Sequence, residues 1–275
     1  MNLPNEEERK QIIQYYCKGK CIDKSVNISN LSIELSGFSG ADIESLLNNA
    51  VIRAFTENRK VITENDIMNA FCDKVFNCKE KENNMKDPDM KMLAYHEAGH
   101  ASVSLLLDPL SVSCATILQR NNIKGFVKRR QRSDFMETFD SKKDQIKVAL
   151  GGIAAEELFF GKRSIGSSSD IASAKKIVAN LVRRQGMCGF DKIEMSSTLD
   201  EETHFMEGPD SSEARIKRIE DQEDKILDEL YEETKKLLSD NKDLVKKLAD
   251  KLLNSKFLNS SEVNTIYQNS IRKGA

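Results

Sequence analysis

Residues 90 to 105, MKMLAYHEAGHASVSL, constrain this chain more than any other stretch, because they set His96, Glu97 and His100 in the order H-E-x-x-H. An α-helix turns about 100° per residue, so positions four apart lie roughly 40° apart on one face and about 6 Å apart along the axis. Two imidazoles so placed reach one Zn²⁺ at about 2.0–2.1 Å each. Glu97 points close enough to that face to act on water in an open coordination position without ligating the metal. A zinc hydrolase needs this set: two neutral nitrogen ligands, an open position and a carboxylate base. The competing reading is a helix with two partly buried histidines and a surface glutamate. Against it, the chain has only three His and two of them fall in the motif. Ala98, Gly99 and Ala101 are small where another element would approach closely. Gly99 costs about 1 kcal/mol relative to Ala in a helix interior, so it asks for a packing or functional reason.

The whole chain sets the frame. Its 275 residues allow one large or two ordinary domains, and 31% charged against 39% hydrophobic, with no Trp and four Pro, suits helix-rich structure with long exposed faces. A net charge of −2 leaves no basic footprint for nucleic acid. No apolar run approaches the roughly 18–20 residues that span a bilayer, and the N-terminus does not read as a signal peptide, so the expectation is a soluble chain. Cys17, Cys21, Cys72, Cys78, Cys114 and Cys188 form no C-x-x-C pair. They read as scattered reduced thiols of a cytosol-like compartment.

Along the chain, the first 78 residues read as several helices. EEERKQIIQYYC (6–17) has apolar residues at helical spacing. Ser39 caps a helix whose stripe is Ile43, Leu46, Leu47, Ala50, Val51 and Ala54. Thr63 opens another, with Asp66 in the capping-box position and Ile67, Ala70, Phe71 and Val75 inward. KEKENNMK (79–86) is charged and aperiodic, which makes it the expected linker. Asp87-Pro88-Asp89 is a helix start, and the H-E-x-x-H helix should run to about Leu107.

SVSCATILQR and KGFVKRRQ, joined by Asn121-Asn122, are the expected strands, a single hairpin, with Arg129, Arg130 and Arg132 as a solvated face. A strand beside a zinc site can take an extended peptide as a further strand, or the hairpin merely covers the helix. Ser141 is the expected cap of a helix through QIKVALGGIAAEELFFG, whose Gly151, Gly152, Ala154 and Ala155 permit tight packing. RSIGSSSD then leads into IASAKKIVANLVRRQGM, with Asp170 in its first turn. Residues 196–212 are polar, and His204 sits there. A long charged helix over about 210–239 and two shorter ones around Leu244–Leu253 and Ser261–Ile271 complete a mainly α chain.

Catalytic zinc commonly takes three protein ligands plus water. The pattern H-E-x-x-H-x-x-G-x-x-H fails, because Val103 and Leu106 stand where Gly and His belong. Asp170, Glu156, Glu157 and His204 are the candidates, and spacing alone does not choose among them. Either glutamate can equally orient a ligating imidazole.

YHEAGHA, LGGIAAEELFFG and GSSSDIASAKKIVANLVRRQGMCG, in this order, resemble the protease domain of the FtsH family of AAA+ zinc metalloproteases. EDQEDKILDELYEETKKLLSDNKDLVKKLADKLL is similar too. LSGFSGADIESLLNNAVIRAF and VITENDIMNAF resemble the helical lid of an AAA+ module.

The resemblance implies a mainly α chain with a lid bundle at 1–78, a linker at 79–86 and a zinc peptidase domain with a small hairpin at 87–275. It implies His96, His100 and Asp170 as ligands, Glu97 as general base, and Glu156 and Glu157 as supports of the ligand set. SSSD stands where the family more often reads S-N-D, so the loop around Asp170 is expected to differ in detail. Gly40 and Ala41 of the GFSGAD turn would border a nucleotide. No G-x-x-x-x-G-K-[ST] phosphate loop occurs in the 275 residues, so ATP would serve only a longer parent.

That parent is expected to be a membrane-anchored homo-hexamer acting on protein and peptide substrates from a cytosolic or organellar matrix side, and this chain to begin inside it. The alternatives are a catalytically inactive scaffold and a lid-type regulatory module. A scaffold has no need of Glu97, and the missing phosphate loop weighs against the regulator.

Overall fold

The structure, a computed structural model, describes residues 3–24, 26–75, 87–118, 125–130, 137–185 and 213–271. The expected linker 79–86, the Asn121-Asn122 connection, Arg132, the 196–212 segment with His204, and Cys78 and Cys188 lie outside the described residues.

Four helices form the first part: α1 (Glu6–Cys17), α2 (Ile28–Glu34), α3 (Gly40–Thr56) and α4 (Glu64–Val75). Their starts are written in short side chains. Asn5 and Glu8 exchange hydrogen bonds with each other's backbone N–H, as do Ser39 and Asp42. Thr63 and Asp66 do the same at α4, as the sequence predicts. Ile43, Leu46, Leu47, Ala50 and Ala54 are buried together with Ile13, Leu35, Ile67 and Phe71. Val75, the last described residue of α4, departs from expectation at 44% exposed. The short α2, capped by Asn27, was not foreseen.

α5 (Asp87–Leu107) is the axis of the second part. It is buried on nearly every side from Ala94 to Leu105, so it lacks the one-sided stripe of a surface helix. Against it pack α6 (Phe139–Phe160), α9 (Lys242–Ser255) and a sheet. The helix before the aspartate turn is capped by Thr138, not by Ser141. Ser141 is instead the reciprocal partner, its backbone N–H donating to Thr138 Oγ1 at 3.1 Å while its own Oγ accepts from Thr138 N at 2.9 Å. α7 (Ser168–Arg183) and α8 (Glu213–Asp240) bury Val178, Leu181, Ile219, Ile226 and Leu230 against Ile146, Leu150 and Ile153 of α6.

The hairpin is present as β1 (Val112–Thr116) and β2 (Phe126–Arg129), antiparallel with Thr116 opposite Phe126 and Cys114 opposite Lys128. The sheet has a third strand that the sequence reading did not include, β3 (Phe257–Asn259), antiparallel to β1 on its other side. Three residues between two helices are too few to show a period of two. The left-handed Lys256, at φ 62°, ends α9 and turns the chain onto the sheet. α10 (Ser260–Ile271) follows and packs over β1. That return also corrects the solvated arginine face: Arg129 and Arg130 are half-buried, and Arg130 Nη2 donates to Ser260 Oγ at 2.6 Å.

The two parts share apolar contact. Cys114 and Phe257 join the core of the first four helices. Lys128 Nζ donates to the Glu34 carbonyl at 2.5 Å and lies 4.2 Å from the Phe71 ring centroid. Among the described residues, Cys17, Cys21, Cys72 and Cys114 are thiols that form no disulfide. No described helix is long and apolar enough to cross a membrane.

Candidate metal centre

The H-E-x-x-H spacing does on α5 what helix geometry requires. His96 Nε2 and His100 Nε2 stand 3.0 Å apart, and Asp170, from the first turn of α7, puts Oδ2 3.1 Å from the former and 3.6 Å from the latter. These three side chains are the one group of potential metal ligands that converge among the described residues.

The outer nitrogens decide the chemistry. His96 Nδ1 lies 2.8 Å from Glu156 Oε1, and His100 Nδ1 lies 2.6 Å from the Val148 carbonyl oxygen. Both partners only accept, so both Nδ1 atoms carry the proton of a neutral ring and both Nε2 lone pairs face inward. Two lone pairs and a carboxylate oxygen then meet with no donor between them. That donor set fits a cation and suits zinc, which takes imidazole nitrogen and carboxylate oxygen. With protons alone in the pocket, His96 holds one instead. Burial works to lower the His96 pKa, but hydrogen bonds to the Asp170 and Glu156 carboxylates outweigh it and push it up to about 10. Burial likewise works to raise Asp170, yet the two imidazoles hold its carboxyl well below the usual carboxylate range.

Space is made by glycine. A Cβ on Gly152 would lie 2.6 Å from both His100 Nε2 and His96 Nδ1, so α6 offers bare backbone where the rings sit. Gly99 and Gly151 bring the two helices together, and a Cβ on Gly99 would run into the Gly151 carbonyl and lie 2.7 Å from Ala155 Cβ. The small residues beside the motif have their packing reason.

Glu97 is 4% exposed, on the same helix and turned toward the sheet. Burial pushes its pKa up, against the pull of the two imidazoles. Gly125, just before β2, lies against it: a Cβ there would be 2.7 Å from Glu97 Oε1 and 2.9 Å from the Thr116 carbonyl oxygen. Since Thr116 is fixed in the sheet, Glu97 would have to move. Gly125→Ala is expected to slow any reaction that uses Glu97 as its base about tenfold or more while metal content stays unchanged, measured as turnover per bound metal; undiminished turnover would show that Glu97 has slack.

The two glutamates separate. Glu156, 2% exposed, faces His96 and is held by Ser164 and Ser167. Glu157 does not reach the imidazoles. Its carboxylate takes Lys235, Tyr231 OH at 2.8 Å and Arg163 Nε at 2.7 Å, contacts that hold its pKa down at about 2 and tie α6 to α8. Gly40 opens α3 beside a groove of about 660 Å³ lined by Pro4, Glu8, Gln11, Ile12, Tyr15 and Tyr16, and Ala41 is exposed next to it. Neither belongs to the imidazole cluster. Val148, Gly152, Ser164, Ser167 and Gly125 were not foreseen as site residues, although RSIGSSSD, crowded with hydroxyls before Asp170, held a signal for two of them.

The chain is similar in sequence to known proteins. The profile of peptidase family M41 matches residues 83–266, and that of an AAA+ lid domain matches residues 25–69. Similar curated proteins include the ATP-dependent zinc metalloprotease FtsH of Mesoplasma florum, 35% identical over 92% of this chain and 39% of its own length. That of Ruminiclostridium cellulolyticum is 31% identical over 100% of this chain and 45% of its own. That of Thermus thermophilus is 30% identical over 98% and 43%. The chain therefore spans less than half the length of these relatives.

Proposed function

The chain belongs to peptidase family M41, and from that premise we propose that it is the proteolytic portion of an ATP-dependent zinc endopeptidase. One observation carries the reading: His96 Nε2, His100 Nε2 and Asp170 Oδ2 converge with no donor among them. These three hold Zn²⁺. Bound there, zinc supplies Lewis acidity, bringing the pKa of water to about 7 and polarising a peptide carbonyl.

The protein's own groups do the rest. Glu97 takes the proton from the attacking water and returns it to the leaving amine. Glu156 and the Val148 carbonyl hold the rings in the tautomer that presents Nε2. β2 is an edge of the sheet beside Glu97, and an extended substrate segment pairing along it would bring its backbone past the base.

Residues 1–78 serve as the lid of an AAA+ module, 79–86 as the connection and 87–275 as the peptidase domain. Substrates are unfolded protein segments and peptides, with no nucleic acid involved. The full assembly is a homo-hexamer fed by ATP, with Gly40 and Ala41 bordering the nucleotide.

The test is zinc per chain on the purified protein beside Asp170→Ala, with cleavage of an unfolded protein before and after chelation. About one zinc in the parent, a clear loss in the variant and chelator-sensitive cleavage are expected. A parent that holds no zinc after reconstitution would overturn the reading in favour of a scaffold.

A further inference from the structure

The motif Ser/Thr-x-x-Asp occurs at three helix starts among the described residues, and only two of them use it as a cap. Ser39 with Asp42, and Thr63 with Asp66, close reciprocal capping boxes. Ser167 and Asp170 stand in the same relation at α7, with Ser167 at the N-cap, yet Ser167 makes no side-chain cap hydrogen bond. Both members are turned away from the helix. Asp170 goes to the two imidazoles, and Ser167 Oγ donates to Glu156 Oε1 at 3.1 Å. Ser164 reinforces the same oxygen: its Oγ donates to Glu156 Oε1 at 2.8 Å, its backbone N–H to Oε2 at 2.6 Å, and the two hydroxyls lie 3.1 Å apart. Glu156 Oε1 in turn meets His96 Nδ1.

We propose that Ser164 and Ser167 are positioning residues that latch the Asp170 turn to the H-E-x-x-H helix through Glu156, so that the third ligand and the first are set as one unit. The physical need is plain. Asp170 comes from a different helix and a 26% exposed side chain, and α7 starts with no cap hydrogen bond to fix it. Without the latch, its approach to the rings rests on the backbone alone. With it, any movement of residues 164–167 pulls on the carboxylate that orients His96. Ser167 is 1% exposed, so its hydroxyl has no water to turn to and the latch is held shut by burial.

This inference rests on the zinc reading above, and the test separates the two. Zinc affinity is measured by chelator competition on the parent, Ser167→Ala, Ser164→Val and Ser164→Thr, with the absorption spectrum of the cobalt-substituted proteins as a measure of ligand geometry. Ser167→Ala and Ser164→Val are expected to bind zinc about tenfold or more weakly and to shift the cobalt bands, while Ser164→Thr, which keeps the hydroxyl, stays near the parent. In a Glu156→Gln background, Ser167→Ala should add less than about twofold, since the latch acts through that carboxylate. A purely structural role would lower thermal stability and leave the cobalt bands in place. If the parent binds zinc and Ser167→Ala matches it in affinity and spectrum, the latch is wrong and the zinc site stands. If the parent binds no zinc, both fall.

Discussion

Glu97→Gln is expected to remove proteolysis while leaving zinc and fold in place. The amide keeps the size and shape of the side chain, so the packing of a residue only 4% exposed is preserved. It also takes a buried carboxylate, already pushed toward its neutral form by burial, out of a site where charge is costly. Stability should therefore hold or rise slightly. The amide cannot accept a proton. General-base catalysis contributes about 10²–10⁴-fold, so cleavage of an unfolded protein should fall by about that factor. Zinc should not change, because the three converging ligand atoms belong to His96, His100 and Asp170. Zinc content, thermal melting and turnover measured on one preparation decide the matter. Activity within tenfold of the parent would remove Glu97 as the base, and loss of zinc would make it a ligand.

The parts of this arrangement that were legible beforehand are those set by local geometry. Four-residue spacing on a helix brings His96 and His100 together whatever surrounds them. The reciprocal caps at Ser39 and Thr63 need only four consecutive residues. Illegibility begins where a choice depends on what packs opposite. Glu156 and Glu157 are adjacent and chemically identical, and one helical step of about 100° sends one to His96 and the other to Tyr231 and Arg163. Spacing left both as candidate ligands, because the sequence alone does not say which side of α6 meets α5. The Val148 carbonyl that fixes the His100 tautomer is invisible for a simpler reason: every residue has one. β3 depends on the unfilled edge of β1, some 140 positions earlier, which no window over residues 257–259 contains. The family resemblance chose Asp170 from the four candidates for the third ligand, and the diverted cap at Ser167 shows why local rules would have misread it: the pattern calls for a helix cap, and the site takes both members instead.

Two glycines of the α5–α6 contact should fail in opposite ways. Gly99→Ala sets a methyl group against the Gly151 backbone, 2.9 Å from its carbonyl carbon, and backbone in two buried helices has nowhere to go. Overpacking of this kind costs about 1–3 kcal/mol or more. The gain in helix propensity returns about 1 kcal/mol, which does not cover a clash with main chain on one side and Ala155 on the other. Melting should fall, by about 2–4 °C for each kcal/mol of net cost. Gly152→Ala meets ring atoms instead, 2.6 Å from His96 Nδ1 and His100 Nε2, and imidazoles can turn where backbone cannot. The fold should survive with its melting temperature unchanged or slightly raised, since the propensity gain is no longer opposed by main chain. Turning the rings breaks their contacts to Glu156 and Val148, and the lone pairs no longer converge. Zinc affinity should drop about 10–100-fold, the range seen when the groups that orient a ligand are lost. Melting curves and chelator competition on the two variants side by side give a crossed pattern, stability lost in one and metal in the other. If Gly152→Ala binds zinc as tightly as the parent, the imidazoles are not held against α6, and the metal centre needs a different geometry from the one described.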